Sequence, residues 1–84
     1  MAKNKYIEQG RVQSGDTTEV VVTQIADSEG NLKGFFCNNY VTTDEYTGPK
    51  KGVTINEQAL SRVLSYFPQD YLEEALEIQK SRKN

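Results

Sequence analysis

"GPKKGVTINEQAL", residues 48–60, changes its hydrophobic period in mid-course. Up to Ile55 the apolar residues alternate, with Val53 and Ile55 expected to point inward from a short strand over 51–55. From Asn56 onward, Ala59, Leu60, Val63, Leu64 and Phe67 recur every three or four residues and form one helical stripe. Asn56 stands where a helix cap belongs, and Glu57 places a negative charge in the first turn, where the helix dipole favours it. A strand that runs straight into a helix is the junction around which the rest of the chain has to be arranged.

Working backward, "DEYTGP" (44–49) is rich in turn residues, and "FFCNNYVTT" (35–43) reads as the strand before it. That strand sets Phe35, Cys37, Asn39 and Val41 on one face, the more apolar one, and Phe36, Asn38, Tyr40 and Thr42 on the other. "SEGNLKG" (28–34) lets the chain reverse. "TEVVVTQIAD" (18–27) is a β-branched strand with Val20 and Val22 on one side and Val21, Thr23 and Ile25 on the other. "KYIEQGRVQSG" (5–15) suits a further strand bent at Gly10. Working forward, Pro68 either kinks the helix or begins a second one capped by Asp70 with Glu73 three residues on. Tyr71, Leu72, Ala75 and Leu76 carry a second apolar stripe, and the basic end "IQKSRKN" is expected to fray. The outline is α+β: an antiparallel meander of three or four strands followed by one or two helices. It is a single domain over 1–84, with an N-terminal segment (1–17), strands (18–55) and a helical region (56–82).

Composition narrows the chemistry. The 84 residues include no histidine and one cysteine, Cys37, so Cys/His zinc sites, disulfide frameworks and His-based dyads or triads are excluded. No catalytic residue, cofactor or metal is expected, and the chain is not read as an enzyme. No apolar run approaches the roughly 20 residues of a membrane span, and "MAKNKYIEQG" lacks a signal-peptide core, which points to a soluble, cytoplasmic protein. A domain of this size buries only about 60% of its unfolded surface, so a partner subunit would help it considerably. The net charge is −2, with the deficit concentrated between residues 19 and 49, so an anion site must be local.

Such a local site is suggested by Lys50 and Lys51. "GPKKGVTINEQAL" resembles the strand-to-helix segment of the single-stranded-DNA-binding domain of the transcriptional coactivator positive cofactor four. Members of that family carry a basic pair, then Gly, a short hydrophobic strand and a helix start rich in Pro, Glu and Gln. "FFCNNYV" is similar to the preceding family strand, with Tyr40 at its aromatic position, and "TEVVVTQIAD" to the strand before that, so the resemblance covers roughly residues 18–67. It implies curved sheets that present channels for unpaired strands, in a homodimer whose helices pack together through Leu60, Val63, Leu64 and Phe67. The candidate nucleic-acid site is Lys33, Phe36, Asn38, Tyr40, Tyr46, Lys50, Lys51 and Gly52, of which the resemblance carries Tyr40, Lys50, Lys51 and Gly52, while the others fall on or next to the expected strands. The expected partner is single-stranded DNA or RNA, bound in the cytoplasm, at the nucleoid if the protein is bacterial or in the host if it is phage-encoded, and no membrane. Two positions depart from the family's pattern: Asn38 stands where a basic residue is usual, and Val41 where Trp often follows the tyrosine.

Physically, aromatics on a sheet stack bases at about 1–3 kcal/mol each, while lysines neutralise phosphates and release counterions. Gly52 would let the backbone approach a ligand closely. The plainer alternatives are a solvated turn flank for Lys50 and Lys51, core or dimer packing for Phe36 and Tyr40, a small buried hydrophobe for Cys37 and a solvated turn for Asp44 and Glu45. The rival function is a protein-interaction module, such as a phage-type regulator or inhibitor, using the same fold and the acidic "YLEEALEIQK" helix; the charge of −2 and the absent tryptophan favour it.

Overall fold

The computed structural model describes residues 3–82. Four strands, β1 (Lys5–Gln13), β2 (Thr18–Ala26), β3 (Leu32–Thr42) and β4 (Thr47–Asn56), form one antiparallel sheet in the order β1-β2-β3-β4. Two helices follow, α1 (Glu57–Leu64) and α2 (Gln69–Arg82). This is the α+β arrangement that the change of period at Asn56 predicts, with all four strands and both helices present.

Three register shifts interrupt the ladders: between Glu8 and Gly10 in β1, between Ile25 and Ala26 in β2, and between Asn38 and Tyr40 in β3. Each puts unequal numbers of residues opposite one another, and such bulges bend a strand and increase its twist. The first of these shifts falls next to Gly10, where the sequence places a bend. The β2–β3 reversal is organised by the Asp27 carboxylate, which accepts the backbone N–H groups of Glu29 and Asn31, both at 2.9 Å, with Gly30 at φ 91° completing the turn. The β3–β4 turn is closed by the Thr43 N–H donating to the Tyr46 carbonyl (2.8 Å) and leaves Asp44 and Glu45 at an exposed tip.

Local expectations are corrected at several places, beginning with the reversal over 28–34, of which Leu32, Lys33 and Gly34 belong to β3. Gly48 and Pro49 belong to β4 and not to the turn; β4 is an edge strand, where a residue without an N–H is tolerated. Val53 is 58% exposed, because alternation sets its face but an edge strand has only one neighbour to cover it. Asn56 has the extended backbone of a cap and still pairs with Gly34, but its side chain makes no capping bond. Pro68 precedes a second helix, its carbonyl accepting the N–H groups of Tyr71 (3.1 Å) and Leu72 (3.2 Å), so Asp70 lies inside the first turn instead of capping it.

The core of the chain is small. Val21, Ile25 and Ala26 are its buried hydrophobic residues among those described. α1 packs against β3 and β4, which leaves Ala59, Leu60 and Val63 half-buried and Leu64 exposed. Phe67 falls in the link between the helices, outside the α1 stripe to which its spacing assigned it, and is also exposed. Leu64 faces an open apolar trough between the two helices, shared with Leu72, Ala75 and Leu76. The chain exposes 7020 Å² and has a radius of gyration of 14.7 Å, whereas a compact chain of this mass would show about 5,000 Å² and about 12 Å. No helix among the described residues is long and apolar enough to cross a membrane. Part of the segment expected to fray, Lys83 and Asn84, lies outside the described residues, as do Met1 and Ala2.

Candidate nucleic-acid interface

Directly paired residues share a face of a sheet, so the register assigns the two faces without ambiguity. Glu19 pairs with Tyr40, Val21 with Asn38 and Thr23 with Phe36; across the next ladder Phe36 pairs with Thr54 and Asn38 with Gly52. On the β1 side, Tyr6, Glu8, Arg11 and Gln13 pair with Ile25, Thr23, Val21 and Glu19. One face therefore carries a row of Phe36, Asn38 and Tyr40 along its central strand, flanked by Tyr6 and Arg11 on one side and Thr54 on the other. The opposite face carries Val20, Val22, Phe35, Cys37, Asn39, Val41 and Val53. The end of α2 approaches this second face, where Arg82 lines a depression with Gly10, Val12 and Val22.

The structure does not bring the eight expected site residues together. Phe36, Asn38 and Tyr40 form a row as anticipated. Because Asn38 pairs with Gly52 and Tyr40 with Pro49, Lys50 and Lys51 jointly stand opposite Asn39, whose side chain belongs to the other face. Lys51 lines a shallow depression there with Val20, Cys37, Asn39 and Val53. Lys50 places its Nζ 4.4 Å from the centre of the Tyr46 ring, and the Tyr46 hydroxyl donates to the Pro49 carbonyl at 2.6 Å, so these two form a small cluster at the β3–β4 turn. Lys33 lies at the far end of β3, 3.8 Å from Asp27. Gly52 does not offer space to a ligand: an added Cβ would run into the Cys37 carbonyl and the Phe36 ring, so β3 itself requires the glycine. Asn38 spends its amide on the carbonyls of Asn39 (3.1 Å) and Lys50 (3.4 Å), helping to hold the bulge.

Arg11 is the functional candidate that sequence reading missed. Its guanidinium stands 4.7 Å from the centre of the Tyr40 ring, within cation–π range. The Nε and Nη2 atoms donate to the two oxygens of Glu8 at 3.0 and 3.1 Å, and Glu19 lies 3.8 Å away. The hydrogen bond from Arg11 holds the Glu8 carboxyl below its ordinary range, and the same bond raises the arginine. Strict alternation from Tyr6 would put Arg11 on the opposite face; the shift at Gln9 reverses the parity and carries it onto the aromatic one. Asp27 is likewise held below its ordinary value, first by the backbone N–H of Asn31 and also by the Asn31 side chain, Glu29 and Lys33.

Compared with protein-family models, curated proteins and solved structures, the chain matches none.

Proposed function

We propose that the chain is a small, sequence-tolerant single-stranded nucleic-acid-binding protein, similar in plan to the positive cofactor four domain and acting without chemistry in transcription, replication or repair in the cytoplasm. The observation that carries this reading is the row of Phe36, Asn38 and Tyr40 along the central strand of one face, with a cation already seated on the Tyr40 ring. Phe36 and Tyr40, four residues apart on one face, stand about 13 Å apart along the strand with Asn38 between them, so each ring can stack a base of its own. Lys50 and Lys51, exposed at the edge, would meet the phosphates of a strand that passes round β4. The working unit is a homodimer: the subunit's surface exceeds that of a compact chain by about 2,000 Å², in the range that one partner contributes to an obligate interface.

The test is fluorescence anisotropy with a labelled single-stranded oligonucleotide and its duplex, at low and physiological salt. Salt-sensitive preference for the single strand is expected, and Phe36→Ala or Tyr40→Ala should weaken it by about 1–3 kcal/mol for each base no longer stacked. Val53→Ala, on the other face, should leave it unchanged. Absence of binding at low salt would sink the reading.

A second reading, a protein-interaction module, is favoured by one observation: several cations are already matched to carboxylates, Arg11 to Glu8 and Glu19, Lys33 to Asp27 and Lys80 to Glu77. Recovery of one stoichiometric protein partner, with no nucleic acid co-purifying, would support it.

A further inference from the structure

We infer that Arg11 is a phosphate-binding residue held in reserve, latched onto Tyr40 by Glu8 and Glu19 until a phosphodiester takes the place of the two carboxylates. The inference rests on the single-stranded reading and adds to it a residue and a loading step. The guanidinium makes three contacts of different kinds. It gives a forked pair of hydrogen bonds to Glu8, lies within 3.8 Å of Glu19, and covers one side of the Tyr40 ring at 4.7 Å. Glu19 is also the direct cross-strand partner of Tyr40, so the latch is anchored at both ends by the β1–β2 and β2–β3 ladders.

Two consequences follow from this geometry. A base cannot stack on the covered side of Tyr40 while Arg11 lies there, so the aromatic row is complete only when the guanidinium moves. A phosphodiester presents the same acceptor geometry as a carboxylate, and an arginine fork suits either one. The side chains of Arg11, Glu8 and Glu19 are 37%, 46% and 39% exposed, so their ion pairs are weak enough to exchange with an arriving anion. One motion therefore supplies a phosphate contact and uncovers the stacking ring. While the latch is closed, Glu8 and Glu19 present negative charge beside the ring and disfavour polyanions that cannot also stack, such as a duplex.

The test is a cycle of substitutions in the full-length protein, read by anisotropy with a labelled oligothymidylate across a salt series. Glu8→Gln with Glu19→Gln should tighten binding by about two- to fivefold, the worth of surface ion pairs of this kind. Arg11→Gln should weaken binding and reduce the logarithmic salt slope by about 0.7, one phosphate's share on a single strand. With Arg11→Gln already present, the two glutamate substitutions should tighten binding less, because they then relieve repulsion alone and no arginine remains to be released. Equal tightening with and without Arg11 would show that the glutamates act only by repulsion and would overturn the latch while leaving the nucleic-acid reading intact. An unchanged salt slope in Arg11→Gln would overturn it too. Failure of the wild type and every variant to bind at low salt would overturn both readings together. Glutamine is close in size to glutamate and the sites are partly exposed, so circular dichroism spectra of all variants should superimpose.

Discussion

The ring of Phe36 lies against Gly52, its Cζ only 2.9 Å from where a Cβ on residue 52 would sit. The same Cβ would also press on Asn38 and the Cys37 carbonyl, and the two strands cannot separate without breaking their ladder. Gly52→Ala should therefore destabilise the fold by about 1–3 kcal/mol, as overpacking usually does. Gly10→Ala is the control: an added Cβ there meets nothing within 4 Å, so its effect should stay within about 0.5 kcal/mol. Urea denaturation of the two variants decides the matter, and equal midpoints would show that the β3–β4 contact is not as tight as described.

Lys50 and Lys51 fall unpaired in the register shift between Gly52 and Pro49, across from Asn39, and alternation sets both off the aromatic face. A strand can touch them and Tyr40 together only by passing round the free edge of β4. Replacing both lysines with Ala should hardly affect an oligonucleotide of about 5 residues but should weaken one of about 20, lowering the logarithmic salt slope by up to about 1.4. Loss of affinity for both lengths alike would place the lysines at the centre of the binding path; no loss for either would remove them from it.

These lysines also mark where sequence reading stops. The junction at Asn56 was legible because periods of 2 and 3.6 residues differ over a few positions, and the faces of β2 and β3 followed from simple alternation. A bulge, by contrast, arises from the pairing of two strands and leaves little trace in either one. Hence the parity of Arg11, reversed at Gln9, and the shared position of Lys50 and Lys51 had to come from the ladder registers. Burial was the other blind spot. Val53 alternates as a core residue should, yet an edge position leaves it open, and Phe67 keeps helical spacing although the helix ends at Leu64.

Asp27 accepts two backbone N–H groups and the Asn31 amide, and its folded pKa lies below the ordinary value. A group depressed in this way stabilises the native state above its unfolded pKa, and that contribution disappears as pH falls through the folded value. Thermal stability should therefore decline on acidification below the ordinary aspartate range. Asp27→Asn, which keeps an acceptor but no charge, should be less stable than wild type at pH 7 and should lose less on acidification. Parallel melting curves for the two proteins between pH 7 and pH 3 would count against this account of the turn.

The excess surface of the chain has a location. Leu64, Phe67, Tyr71 and Leu76 are all exposed on or between the helices, and α2 packs far less closely on the strands than α1 does. Three buried hydrophobic residues among those described are a meagre core for a chain whose ordering costs on the order of 1–2 kcal/mol per residue in backbone entropy alone. Burial of the trough between α1 and α2 against a second copy would add the missing apolar contact. Sedimentation equilibrium should accordingly give twice the 9.5 kDa of one chain at micromolar concentration. Leu64→Glu together with Leu76→Glu places two charges in that trough and should yield monomers with a lower melting temperature, while Glu74→Gln in the same helix should leave the dimer intact. A wild-type protein that sediments as a stable 9.5 kDa monomer would mean that the sheet holds the fold unaided. A variant that stays dimeric would place the interface elsewhere, with the β1 edge, where Ile7 and Val12 are exposed, the next surface to examine.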